Sequence, residues 1–142
     1  MNVDELNRFF RAEFPESNLT VEAVGDRSSR VRKGIDRRHL RPGGTVSGPT
    51  LFALADAALY GALLGELGHV PLAVTTDMSI HFLRRPKADA DIVAECRLLK
   101  LGRTLAIGDV TVFSVGDERP VAHAVGTYAI PPEARQSGSG SD

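Results

Sequence analysis

The spacing of apolar residues changes three times along this chain. Near the start, Leu6, Phe9, Phe10 and Phe14 recur at helical intervals. They predict a short helix over about Val3–Phe14, with Asn2 or Asp4 as cap and Pro15 as stop. Two strand candidates follow, Leu19–Val24 and Ser29–Ile35, and the arginine-rich run around the second reads mainly as a solvated face. From Thr50 to Leu67 the residues are apolar on nearly every side, which predicts a buried helix about 27 Å long. Ser47 or Gly48 suits its cap, and Pro49 sits in its first turn, where a missing N–H costs nothing. Ala53, Ala57, Gly61 and Gly65 fall four apart and form a smooth stripe for a close neighbour.

After Val70-Pro71 the period drops to two. In Leu72–Leu83, the residues Val74, Thr76, Met78, Ile80 and Phe82 share one face, with Thr75, Asp77, Ser79 and His81 on the other. Asp91–Lys100 and Thr104–Ser114 alternate in the same way across a turn at Gly102, and Val121–Ile130 makes the last strand. The prediction is an α+β protein: one long buried helix followed by a meander of antiparallel strands. A single sheet buries such a helix only by curling around it. Its open edge then invites pairing with a second copy of the chain, so a homodimer or homotetramer is expected.

Composition narrows the picture. A length of 142 residues suits one domain, taken here as 1–131, with PPEARQSGSGSD (132–142) expected to be a disordered tail. Lys+Arg number 17 against 18 Asp+Glu, which offers no general attraction for nucleic acid. The Leu51–Leu67 run comes nearest to a membrane span, but Asp56 and two glycines interrupt it, and no span is expected. The acidic start MNVDELNRFF has no signal-peptide pattern, which points to the cytoplasm. The single Cys96 allows no internal disulfide, and the four histidines lack metal-ligand spacing, so neither metal nor cofactor is expected.

The anomaly is Asp56, one carboxylate in an apolar rod. A buried ionised acid is costly unless it has partners or a job. The expected structural alternative is a bond to Tyr60, one turn on.

Around this acid the chain resembles the hotdog-fold acyl-CoA thioesterases of the hydroxybenzoyl-CoA and phenylacetyl-CoA type. The resemblance spans roughly Arg37 to Ile130. It rests on Pro42-Gly43-Gly44-Thr45-Val46-Ser47-Gly48-Pro49, on Leu54-Ala55-Asp56, on the strand Val74–Leu83 and on the hairpin Lys100-Leu101-Gly102-Arg103-Thr104. It implies a curved antiparallel sheet wrapped around one long central helix, and hydrolysis of an acyl-CoA to free acid and CoA at a dimer interface. Asp56 matches the catalytic acid, as general base or nucleophile. Gly48 matches the glycine whose N–H polarises the thioester carbonyl, and Thr75 a hydroxyl residue that helps hold the attacking water. Such proteins commonly carry His-Gly-Gly where this chain has Ser47-Gly48-Pro49, so Ser47 stands in for a donor or simply caps the helix. They commonly carry asparagine where Arg41 stands. Arg84, Arg85 and Arg103, with Lys87 and Lys100, are candidates for the phosphates of coenzyme A, Tyr60 for the acyl pocket, and Arg41 is a further candidate for substrate binding. Two alternatives remain: an acyl-CoA-binding protein without catalysis, and a hydratase or dehydratase of the same fold. The latter chemistry usually pairs a histidine with the acid, and none lies between Arg41 and Leu67.

Overall fold

The computed structural model describes residues 1–132. The expected tail, apart from Pro132, lies outside the described residues. In chain order the elements are α1 (Val3–Glu13), β1 (Leu19–Gly25), β2 (Ser28–Lys33), a single 3-10 turn at Arg37–His39, α2 (Gly48–Leu67), β3 (Val74–Phe82), β4 (Ile92–Leu101), β5 (Leu105–Ser114) and β6 (Ala122–Ala129). Six strands form one antiparallel sheet in the order β1-β2-β4-β5-β6-β3. Helix α2 lies in its concave face and touches every strand. This is the hotdog fold.

The strand order corrects the simple meander. Of the four strands after α2, only β4, β5 and β6 follow one another in the sheet; β3 crosses to the far edge beside β6, and β4 pairs with β2. Alternation shows which face of a strand is buried, but it does not say which strand lies next to which.

Helix α2 starts two residues earlier than expected, at Gly48. Ser47 caps it, its side chain accepting from the Thr50 N–H, and Gly68 ends it at φ +84°, a conformation that favours glycine. Ten of its twenty residues are buried, among them Leu54, Leu59, Leu63 and Leu64. By length and composition α2 could cross a membrane, but its apolar sides are packed in the sheet. The small-residue stripe serves two neighbours. Gly61 and Gly65 are met by β1, β2 and α1, whereas Ala53 and Ala57 face an open cleft.

The sheet approaches α2 closely because β5 and β6 present almost no side chain at the crossing. A Cβ on Gly108 would stand 2.3 Å from Leu59 Cδ1 and 3.2 Å from Cys96 Sγ. Leu59 is fully buried and has nowhere to move. Gly108→Val is therefore expected to destabilise the fold by about 3 kcal/mol, the upper range for overpacking, read as a lower urea midpoint at unchanged slope.

The arginine-rich region is half solvated, as expected. Arg30 bridges Glu22 and Glu95 and Arg32 pairs with Asp91 on the outer face, while Ser29, Val31 and Lys33 of the same strand point inward and are buried. Ser29 Oγ donates to the Ala58 carbonyl of α2 at 2.6 Å, tying strand to helix.

Candidate active site

Two turns along α2 from its cap, Asp56 opens into a cleft of about 410 Å³. Its Oδ1 accepts two hydroxyl bonds, from Thr75 Oγ1 at 2.6 Å and from Tyr128 Oη at 2.7 Å. Oδ2 accepts none among the described residues. Thr75 reaches the acid because of a bulge in β3: the register against β6 slips between Thr75 and Asp77. Strict alternation would face Thr75 the same way as Asp77, Ser79 and His81. The extra residue instead turns Thr75 inward with Met78 and Ile80.

Tyr60 is not the partner of Asp56. Its hydroxyl donates to the Pro71 carbonyl at 3.1 Å, and its ring stacks on Tyr128 with centroids 5.6 Å apart. The acid's phenol partner is Tyr128, which the sequence reading missed. A signal was present: Ala122, Ala124, Gly126, Tyr128 and Ile130 alternate on one face of the last strand. A buried phenol needs an acceptor just as a buried acid needs donors. Burial, then the neighbouring Asp56 carboxylate, pushes the Tyr128 phenol well above its ordinary range, so it stays a donor. Burial raises Tyr60 as well, with Glu13 and Asp56 adding to it. The remaining walls of the cleft are apolar, supplied mainly by Phe10 of α1, Phe14 just after it, Leu19 of β1 and Ala53 of α2.

A second cleft, of about 420 Å³, surrounds the start of α2. Gly48, Arg41, Phe82, Arg84 and Arg85 line it. The chain enters through a tight turn in which Gly44 N–H donates to the Arg41 carbonyl at 3.0 Å. Gly43 there has φ +98°, and proline precedes it, the pattern of a type II turn. A short bridge between Leu40 and Val46 closes the loop and sets Arg41 at the cleft's rim. The Gly48 N–H is among the first donors of α2, which have no partner within the helix. Ser47 is engaged by the cap: its Oγ lies 2.8 Å from Thr50 Oγ1.

Eight residues of α-helix separate Gly48 from Asp56, a rise of about 12 Å. Within one chain they belong to different clefts. The arginines are divided in the same way. Arg84 follows the Phe82 end of β3, where its Nε donates to the Pro120 carbonyl at 3.2 Å. Arg103 sits in the β4–β5 hairpin, two residues before Leu105, which pairs with Ala129; Ala129 in turn pairs with Val74 at the opposite end of β3. The nine residues of β3 keep these two ends about 25 Å apart.

Strand β3 is an edge of the sheet, polar along its exposed middle at Thr76, Asp77, Ser79 and His81 and apolar at its two ends. Val74 and Phe82 at its two ends are 54% and 55% exposed, and Leu72 and Leu83 just beyond are also open.

The thioesterase superfamily profile matches residues 43–121, from the glycine turn to the residue before β6. The chain belongs to the thioesterase superfamily. A candidate thioesterase from Silicibacter sp. TM1040 is 46% identical, with 93% of each chain covered and a TM-score of 0.85. A variant of the phenylacetic acid degradation protein PaaI from Thermus thermophilus is 27% identical over 87% of this chain and 99% of its own, at a TM-score of 0.71. The fold also matches a hypothetical thioesterase from Streptococcus pneumoniae TIGR4, whose structure contains coenzyme A. It is 22% identical over 91% of this chain and 96% of its own, at a TM-score of 0.75. Curated proteins offer no match. The resemblance drawn from the sequence thus stands at the level of this thioesterase superfamily and its fold.

Proposed function

We propose that this protein hydrolyses an acyl-CoA thioester at sites that two copies of the chain build together. The observation that carries the reading is the division of the site. The carboxylate with one uncommitted oxygen and the free helix-start N–H lie in separate clefts of one protomer, about 12 Å apart. Both are needed at one carbonyl. Pairing of the open β3 edge, with its exposed apolar ends, with its copy, antiparallel about a two-fold axis, sets the Val74 end of one strand beside the Phe82 end of the other. The Asp56 cleft of one copy then meets the Gly48 cleft of the second. Arg103 of one copy likewise approaches Arg84 and Arg85 of the other.

In the reaction, the thioester carbonyl points at the Gly48 N–H. Asp56 takes a proton from a water that attacks the carbonyl carbon, or attacks that carbon itself. The oxyanion formed is held by the N–H and the partial positive charge of the helix start. Its collapse breaks the C–S bond and expels the CoA thiolate; where Asp56 was the nucleophile, water then hydrolyses the acyl-enzyme anhydride. The apolar walls from Phe10, Phe14, Leu19 and Tyr60 suit an aromatic or medium-chain acyl group. Arg41, Arg84 and Arg85 offer charge to the phosphates of coenzyme A.

Thiol release over a panel of acyl-CoAs tests this. The expected result is turnover that favours apolar acyl groups over acetyl, with Arg85→Ala raising KM while kcat changes little. Tight acyl-CoA binding without thiol release would install the binding-protein reading, which Ser47 in place of the usual histidine favours. The hydratase reading gains nothing here, because no described residue lining either cleft is a histidine.

A further inference from the structure

The geometry points to Tyr128 as a positioning residue that, together with Thr75, pins one oxygen of Asp56 and leaves the other as the reacting atom. This rests on Asp56 being the reacting carboxylate of the proposed hydrolysis. Both hydroxyls converge on Oδ1, at 2.6 and 2.7 Å. They come from different strands, β3 and β6, which the bulge at Thr75 brings into a common register with the acid. Two donors on one oxygen fix the rotation of the carboxylate plane. They also withdraw that oxygen from chemistry, because its lone pairs are engaged. Oδ2 becomes the only basic or nucleophilic atom, with one direction of approach.

Tyr128 is suited to this role by its own restraints. It is 4% exposed and its ring stacks on Tyr60 at 17° between planes. The Tyr60 hydroxyl is in turn tied to the Pro71 carbonyl. The phenol therefore cannot swing away when substrate enters. Among the described residues, the titratable groups that feel this carboxylate are Tyr60 on its own helix and Tyr128 on β6; Glu13 on α1 acts on Tyr60. Both phenols are raised, so neither ionises in the range where the acid works, and Tyr128 remains a donor throughout.

The test is Tyr128→Phe, which keeps the ring and its stack on Tyr60 and removes only the hydroxyl. Full-length parent and variant are assayed for thiol release from the best acyl-CoA across pH, with circular dichroism and thermal melting alongside. The variant is expected to fold, to lose about tenfold in kcat with KM little changed, and to show its acidic limb of kcat/KM displaced to higher pH. That is the consequence of losing one hydrogen bond that favours the charged carboxylate. Adding Thr75→Val should move the limb further in the same direction. A folded variant with the parent's kcat and an unmoved limb overturns the role of Tyr128 and leaves the proposed hydrolysis standing. So does a variant whose only change is a lower melting temperature. Should Tyr128→Phe fail to fold, Thr75→Val alone decides: an unmoved limb there overturns the shared pinning of Oδ1. A parent that releases no thiol from any acyl-CoA overturns the proposed hydrolysis, and this inference with it.

Discussion

Asp56→Asn is expected to give a folded protein whose kcat/KM for its best thioester is about a thousandfold below the parent's, the range for losing a positioned base. The geometry makes both halves of that result specific. Thr75 and Tyr128 are donors, and both meet Oδ1. An asparagine can present its carbonyl oxygen at that position and keep both bonds, so the internal network survives. Its amide NH₂ then replaces Oδ2 at the mouth of the cleft. An amide nitrogen there is neither a base nor a nucleophile. Stability should stay within about 1 kcal/mol of the parent, because shape and partners are retained. It could even rise, since a partly buried charge has been removed. Thiol release on the purified variant, with a thermal melt of the same sample, checks both halves together. An unfolded variant would mean that the charge itself holds β3 and β6 to the helix. A folded variant with the parent's rate would mean that the chemistry lies elsewhere.

Much of the fold was legible because its main signals are local. A run apolar on all sides has to become a core helix, and period-two segments have to become strands, whatever surrounds them. The cap at Ser47 and the turn at Gly43-Gly44 were legible for the same reason: their chemistry lies within a few residues. What escaped was set by contacts remote in sequence. Nothing in Leu72–Leu83 says that it will skip the next two strands and lie against Ala122–Ala129. The bulge that turns Thr75 inward exists only relative to that partner, so a strict alternation placed Thr75 with the outer residues. The same limit hid the phenol. Tyr60 was the reachable partner for Asp56 because a helix brings residues four apart together. Tyr128 lies 72 residues away, and only the sheet brings it to the acid. The arginines show a further limit. Arg84, Arg85 and Arg103 look like one cluster when read as loop residues, yet β3 holds them at opposite ends within a protomer.

Mixing two inactive variants should restore activity. In a two-fold dimer that pairs Asp56 of one copy with Gly48 of the other, a protomer carrying Asp56→Asn and one carrying a damaged Gly48 combine into a heterodimer with one doubly damaged site and one intact site. Equal mixing makes about half the dimers mixed, so about a quarter of all sites should work, against almost none in either variant alone. Gly48→Pro is the variant to use. It removes the N–H that would face the oxyanion; proline suits the first helical position, and the crowding that Pro49 imposes on a side chain at position 48 is shared by the Gly48→Ala control. The preceding Ser47, at φ −71° and ψ 152°, already has the extended conformation that a following proline demands. A Cβ there meets the Phe82 ring at 3.2 Å, but that ring is more than half exposed and free to shift. Gly48→Ala adds the same carbon and keeps the N–H, so it should retain far more activity than Gly48→Pro; losing one such donor is worth about a hundredfold or more. The mixture is made by unfolding both variants together and refolding, since subunits must exchange. If the mixture is as inactive as its components while the refolded parent is active, Asp56 and Gly48 do not act across two chains. A monomer by light scattering at micromolar concentration would reach the same conclusion by another route.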